Sequence, residues 1–423
     1  MVSVIPVEAL IARADRVVDV VAPQADSVPG GDSYRYAVDH PDSFMNVTLA
    51  VGEFPGPTPS REAVVKRASG HFRGMLERGL FEPLPSAAFF LYELDTGSHR
   101  QVGIVGGVSL AAVEEGRILG HEDTLEGPVE DLAHFYRVAR LSSSPVALGF
   151  DADEHHHSLM RELSSGTPLR DFTSPDGVRQ RLWAVMDPSG LAAVRAAVSR
   201  VETMYITDGH HRVAAARQGR AEPGWFLAIM FPNDHLRALA YNRVIVPDFL
   251  PSPEEVRRSL GDGWDMDRVG PAGSVESQPR GTGEIAMVLD GLSYRLVFRG
   301  RRPDHPVERL DVSLLHDSIL GPVFGISSSD DPRLWYEVGE NSTILFESRV
   351  SAYPGAVGFA MHPAPIGEMT AVADARSLMP PKSTWFTPKP RSGLLVVRWE
   401  NQPAAHDRGA PGNVRKGSQE RRL

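Results

Sequence analysis

The stretch from residue 182 to 231 constrains the fold more than any other. It reads as a strand over 182–186, then a helix capped by Asp187-Pro188-Ser189 with Leu191, Val194, Val198 and Val201 on one face. An apolar strand follows into Asp208, then an alanine-rich helix ending at Gly219, then a strand over 225–231. A β-α-β-α-β alternation of this kind predicts an α/β core. Its centre is Asp208-Gly209-His210-His211-Arg212, where an apolar β-prone run meets a glycine turn and a helix starts at once. The first N–H groups of a helix are unpaired and carry partial positive charge, so this turn is a natural phosphate seat with Arg212 and two imidazoles at its mouth. The bland alternative is a buried turn whose histidines satisfy nearby carbonyls. Five such residues at a strand-to-helix switch favour function.

Composition narrows the chemistry. The 423 residues suffice for two or three domains or one large elaborated domain, and 42% are hydrophobic, as a real core requires. The net charge is −10 without a long basic stripe, which argues against nucleic acid as a partner. Lys66, Lys382, Lys389 and Lys416 are the four lysines of the chain, so each is worth inspecting. The absence of cysteine excludes disulfides, thiolate metal sites and cysteine nucleophiles. Residues 1–10 lack the basic flank and apolar core of a signal peptide, and no run nears the ~18 apolar residues of a membrane span. A cytoplasmic protein with no membrane partner is the expectation.

Elsewhere, 87–94 and 100–105 flank Asp95-Thr96-Gly97 as a hairpin. Gly127-Pro128 opens a helix over 129–141 with Glu130 and Asp131 in its first turn, followed by a strand over 146–150. A helix over 254–260, two strands within 283–298, a helix over 310–320 and strands over 334–346 and 356–361 are predicted next. The domain expectation is a nucleotide-binding core with an N-terminal elaboration over 1–250, an α+β region over 251–396 packing back on it, and a disordered tail over 397–423.

Three further clusters carry potential chemistry. Gly120-His121-Glu122-Asp123-Thr124 offers a base, a Mg²⁺ ligand and a positioning hydroxyl; its bland reading is a solvated acidic loop. Leu125 stands where a zinc protease needs its second histidine, so that motif is excluded. Met379-Pro-Pro-Lys382-Ser383-Thr384-Trp-Phe386 presents an ammonium and two hydroxyls suited to an anion, or else an ordinary edge strand. Asp151-Ala-Asp-Glu-His155-His156-His157 resembles a metal site by composition, but adjacent histidines on a loop rarely converge on one ion, and it is read as a solvated loop. Asn233-Asp234-His235 and Asn242-Arg243 flank strand ends and could line a pocket.

Taken together and in order, the three clusters resemble the DUF1015 family. Its His-Glu-x-Thr element is matched by His121, Glu122 and Thr124, and its Asp-Gly-His-His-Arg box by residues 208–212. Its Met-Pro-x-Lys-Ser-Thr-x-Phe-x-Pro-Lys stretch is matched by residues 379–389. The family is similar to the ParB-like, sulfiredoxin and free-serine kinase superfamily. The resemblance implies a ParB/sulfiredoxin-like α/β (α+β) nucleotide-binding core elaborated with additional mixed α/β segments. It implies that Gly209, His210, His211 and Arg212, with Lys382, Ser383 and Thr384, hold the phosphates of ATP or ADP. Glu122, Asp208 and His211 would be catalytic, with Glu122 as base or Mg²⁺ ligand and Asp208 orienting the metal or a histidine. Asp26, Arg140, Asn242 and Arg243 would face the substrate, with Arg140 or Lys382 on its carboxylate. Departures from the pattern at Pro23-Gln24-Ala25-Asp26, Asp131-Leu132 and Tyr241-Asn242-Arg243 imply an altered acceptor.

The leading expectation is therefore a nucleotide- and Mg²⁺-dependent kinase for a free serine-like or modified hydroxylated amino acid, with a homodimer as an open option. The competing expectations are a non-catalytic nucleotide-binding switch or adaptor, and a metal-dependent hydrolase or lyase using His121, His210 and His211.

Overall fold

A nine-stranded mixed sheet organises the molecule. From edge to edge it runs Ile118–Leu119, Met204–Asp208, Val146–Phe150, Trp225–Pro232, Arg100–Ser109, Phe89–Asp95, Arg179–Val185 and Arg170–Thr173, with Val4–Ile5 paired to Arg100–Ser109 off this path. The computed structural model describes residues 2–28, 31–219, 224–338 and 342–399. The β-α-β-α-β alternation is present, but its strands are not neighbours. Val146–Phe150 lies between Met204–Asp208 and Trp225–Pro232, antiparallel to the first and parallel to the second. Arg179–Val185 pairs instead with Phe89–Asp95 on the far side. Alternation along the chain reports elements, and pairing is decided by which apolar faces meet.

The central strand, Trp-Phe-Leu-Ala-Ile-Met-Phe-Pro over 225–232, is buried at every position, as a continuous apolar run covered on both faces must be. Its neighbour admits it closely because position 103 is glycine: a Cβ there would stand 2.5 Å from Ile229 Cγ1 and 2.8 Å from the Phe231 ring. Phe89, Phe90, Ile229 and Phe231 are sealed from solvent in the same core. Each contributes ~1.5–3 kcal/mol of burial. On one side, helix His210–Gln218 packs on helix Glu126–Ala139, which packs on helix Arg61–Glu77; elsewhere helix Glu154–Leu163 packs on helix Pro188–Ser199. Asp187 caps the last of these by accepting the Gly190 N–H at 2.7 Å, as the Asp-Pro-Ser signal predicts.

A six-stranded antiparallel sheet follows, drawn from residues 242–361, with its own apolar cluster around Ile285, Leu296, Leu315 and Phe359. Asn242–Ile245 already belongs to it, so this sheet starts before residue 250. The chain then returns. Trp385–Phe386 pairs with Ala238–Leu239, and Leu395–Arg398 joins Ala9–Ala12 and Leu141–Ser142 in a small sheet. Val397 and Arg398 are thus strand residues; from residue 400 on, the expected tail lies outside the described residues.

Three local expectations are corrected. Residues 155–157 are not a solvated loop but the start of helix Glu154–Leu163, capped by Asp153, with the buried His156 ring bonded through Nε2 to the Ala197 carbonyl at 3.1 Å. The strand expected over 334–346 stops at Glu337, and Phe346 lies in helix Ser342–Ala352. The helix expected over 310–320 is α-helical over Asp311–Leu315 and widens to π-helical turns over His316–Leu320. Among the described residues no helix is long and apolar enough to cross a membrane.

Candidate functional site

Strand Met204–Asp208 delivers its last residue to the rim of a cavity of about 700 Å³. The chain then turns through Gly209 at φ 98°, a left-handed value that glycine adopts without steric cost. A Cβ at this position would stand 2.6 Å from Arg212 Nε. Helix His210–Gln218 starts on the next residue, and its N-cap supplies no side-chain hydrogen bond. The first turn therefore keeps donors and partial positive charge. Gly209, His210, His211 and Arg212 all line the cavity. Beside them Thr207, also on the wall, has a buried Oγ1 with no hydrogen-bond partner among the described residues.

Asp208 is saturated by cations. Its Oδ2 pairs with Arg212 and accepts from Gln24 Nε2 at 3.2 Å, and its Oδ1 lies 3.3 Å from Lys389 Nζ. Burial opposes ionisation, but Arg212 and Lys389 overcome it and hold the carboxyl well below the usual carboxylate range. Both oxygens are thus engaged. In this arrangement Asp208 anchors Arg212 and Lys389. The buried Lys389 also pairs with Asp26 and lies 3.9 Å from the centre of the Trp385 ring. Burial pushes its ammonium down, while Asp208 and Asp26 push it up and prevail.

Glu122 forms another part of the wall. Its Oε2 is 3.3 Å from His210 Nδ1 and its Oε1 is 3.8 Å from His121 Nε2. Burial raises its pKa, yet the contacts with His210 lower it further, so the carboxylate is held ionised. The tautomer of His210 follows from its partners. Its Nε2 accepts the His121 backbone N–H at 3.3 Å, so Nδ1 carries the proton facing Glu122. His211 Nε2 accepts the Leu125 N–H at 3.1 Å, which likewise puts its proton on Nδ1. His121 is fully buried, and desolvation takes its pKa down to about 3. The Nε2 lone pairs of His210 and His211 are thus spent on backbone donors.

The expected site residues divide cleanly. Asp26, Glu122, Asp208, Gly209, His210, His211, Arg212, Lys382 and Thr384 line one cavity, although they come from four distant stretches. Lys382, at φ 59°, stands with its ammonium 5.6 Å from the centre of the Tyr241 ring. The remaining four do not line it. Ser383 turns inward, its hydroxyl donating to the Pro380 carbonyl at 2.5 Å. Arg140 is the left-handed C-cap of helix Glu126–Ala139, with its carbonyl accepting the Trp399 N–H at 2.9 Å. Asn242 is buried in the second sheet, where its Oδ1 accepts the Met361 N–H at 3.1 Å. Arg243 is buried too, with a pKa lowered to about 10 by desolvation, and donates to the carbonyls of Tyr241 at 2.8 Å and Lys382 at 3.2 Å. It positions the lysine loop. Gln24, Thr207, Tyr241, Trp385 and Lys389 line the cavity without having been assigned to it from sequence. For Lys389 the signal existed, since it is one of four lysines and closes the 379–389 motif.

Among solved structures the chain is similar to a mutant free serine kinase in complex with ADP, at 12% identity over 70% of this chain and 92% of that one, with a TM-score of 0.36. It is similar to SbnI with a C-terminal truncation from Staphylococcus aureus, at 12% identity over 72% and 89% of the two chains, with a TM-score of 0.37. A conserved hypothetical protein from Pyrococcus furiosus matches at 13% identity over 69% and 95%, with a TM-score of 0.32. No curated protein matches. The family described as protein of unknown function (DUF1015) matches residues 4–313, and the chain belongs to that family.

Proposed function

We propose that the cavity binds ATP or ADP with Mg²⁺ and that the protein transfers a phosphoryl group to the hydroxyl of a free serine-like or modified amino acid. The observation that carries this reading is the meeting, in one cavity, of the uncapped helix start at Gly209 with the ionised carboxylate of Glu122. Phosphoryl transfer asks a protein mainly for position and charge stabilisation. The first-turn N–H groups, the Thr207 hydroxyl and Arg212 hold phosphate oxygens, and Lys382 and Lys389 balance their charge. The bond from the terminal phosphorus to its bridging oxygen breaks, and a bond from the acceptor oxygen to that phosphorus forms. The acceptor's proton passes to Glu122, and the shortened nucleotide leaves. Mg²⁺, when bound, neutralises phosphate charge, and Glu122, whose oxygens no Lys or Arg occupies among the described residues, is the carboxylate that would hold it.

The test is phosphorus NMR of the purified protein with ATP or ADP, Mg²⁺ and a panel of hydroxylated amino acids. A phosphate-ester resonance that requires one acceptor is the expected result. Nucleotide binding with no ester under any acceptor would replace the kinase with a non-catalytic nucleotide switch.

A further inference from the structure

The histidine stretches that the cavity does not use meet at the opposite end of the same sheet. Val146–Phe150 and Trp225–Pro232 run parallel to each other, and Val146–Phe150 runs antiparallel to Met204–Asp208, so the two strands finish on the edge away from Asp208. Helix Glu154–Leu163 follows the first strand, and the turn Asn233–His235 follows the second. His157 Nε2 lies 3.2 Å from Asp234 Oδ2, and the His157 and His235 ring centres are 5.3 Å apart. One potential ligand atom from each of the three residues lies within 4.8 Å of the others. Two atoms bound at about 2.0–2.1 Å in a tetrahedron stand roughly 3.3 Å apart, which the His157–Asp234 pair already satisfies. Asp234 is exposed and free to complete the approach to His235.

His235 is prepared for ligation. Its Nδ1 is 3.3 Å from the Val102 carbonyl, an acceptor only, so Nδ1 carries the proton and Nε2 keeps its lone pair. A backbone carbonyl on the far nitrogen is the usual device that orients a metal-binding imidazole. His99 Nε2 further bonds the His235 carbonyl at 3.0 Å and steadies the turn.

We propose that His157, Asp234 and His235 form a binding site for a divalent transition metal of the zinc class. Two imidazoles and one carboxylate are a borderline donor set, suited to Zn²⁺ and poorly suited to Mg²⁺ or Ca²⁺, which take oxygen. Three protein ligands leave a fourth position to water. The ion would clamp helix Glu154–Leu163 to the sheet, at the edge opposite the phosphate cavity.

The test is calorimetric titration of the full chain, stripped with EDTA, against ZnCl₂, alongside thermal melts with and without Zn²⁺. One equivalent should bind and raise Tm, and Mg²⁺ should not compete. His157→Ala and His235→Ala should each weaken that equivalent by at least about tenfold and abolish the rise in Tm. Asp234→Asn, at an exposed position that does not threaten folding, should weaken it as well. His155→Ala, an exposed neighbour on the same helix, should bind as the wild type does. A chain without a zinc-dependent rise in Tm overturns the site, as does zinc binding that survives Asp234→Asn and both histidine variants, or that is lost in His155→Ala.

Discussion

The two ends of the main sheet use the same residue type for opposite purposes. At the Asp208 end, His210 and His211 each spend Nε2 on a backbone N–H, from His121 and Leu125, so the face they keep is a donor face. At the Pro232 end, His235 spends Nδ1 on the Val102 carbonyl and keeps a lone pair, with His157 beside the Asp234 carboxylate. One end presents ring N–H donors and the other a ring lone pair beside a carboxylate. A histidine's chemistry is therefore read from which nitrogen its neighbours occupy, and adjacency along the chain says little about it.

The comparison breaks most visibly at Glu122. Glu122→Gln keeps an oxygen for His210 Nδ1–H but removes the proton acceptor. The expected result is a fall in kcat of about 10²–10⁴, with the Kd for nucleotide measured by calorimetry without Mg²⁺ unchanged. Full turnover in this variant would leave the Asp208 end an anion seat without a base. Next in size is Lys389→Met. Lys389 is buried against Asp208 and Asp26, and its removal leaves Asp208 with Arg212 as its remaining cation. The loss should be about 3 kcal/mol in urea unfolding at neutral pH. The sign with pH follows. The depressed Asp208 carboxyl contributes stability that is complete above the ordinary carboxylate range and is lost as pH falls through its lower folded value. Acid unfolding of Lys389→Met should thus begin at a higher pH than in the wild type.

Much of this site was legible in the sequence, because its parts are local. A strand running into Asp208-Gly209 and an alanine-rich helix after it need no tertiary information, and Gly209 adopts the conformation only glycine takes freely. The hairpin around Thr96 and the Asp187 cap were readable for the same reason. What could not be read depends on contacts between distant stretches. Arg140 looks like a substrate cation until the fold makes it a helix C-cap, and Asn242 and Arg243 look polar until a second sheet buries them. Lys389 reaches the cavity because Trp385–Phe386 pairs with Ala238–Leu239 and Gln101 Nε2 holds the Pro388 carbonyl at 2.8 Å. His157 meets His235 because two strands separated by some eighty residues run parallel. No spacing along the chain encodes those meetings.

The last predicted effect, smallest when taken per pH unit, concerns the buried His121 beside the cavity. His121 is fully buried, its backbone N–H fixes the His210 tautomer, and its carbonyl accepts the Met379 N–H at 2.8 Å. Desolvation, aided by His210, takes its ring to a pKa of about 3. The unfolded chain protonates this ring near pH ~6.5 and the folded chain does not. Its contribution to stability is therefore complete above ~6.5 and drains as pH falls toward the folded value, by up to about 1.4 kcal/mol per pH unit. His121→Gln keeps the backbone contacts and removes the titrating ring. Urea unfolding between pH 7 and 4 should show a shallower slope in this variant than in the wild type, whatever its stability at pH 7. Equal slopes would mean that the His121 ring takes up a proton in the folded state. The Asp208 end would then hold a titrating cation where a neutral imidazole is expected, and its contrast with the His157–His235 end would rest on His210 and His211 alone.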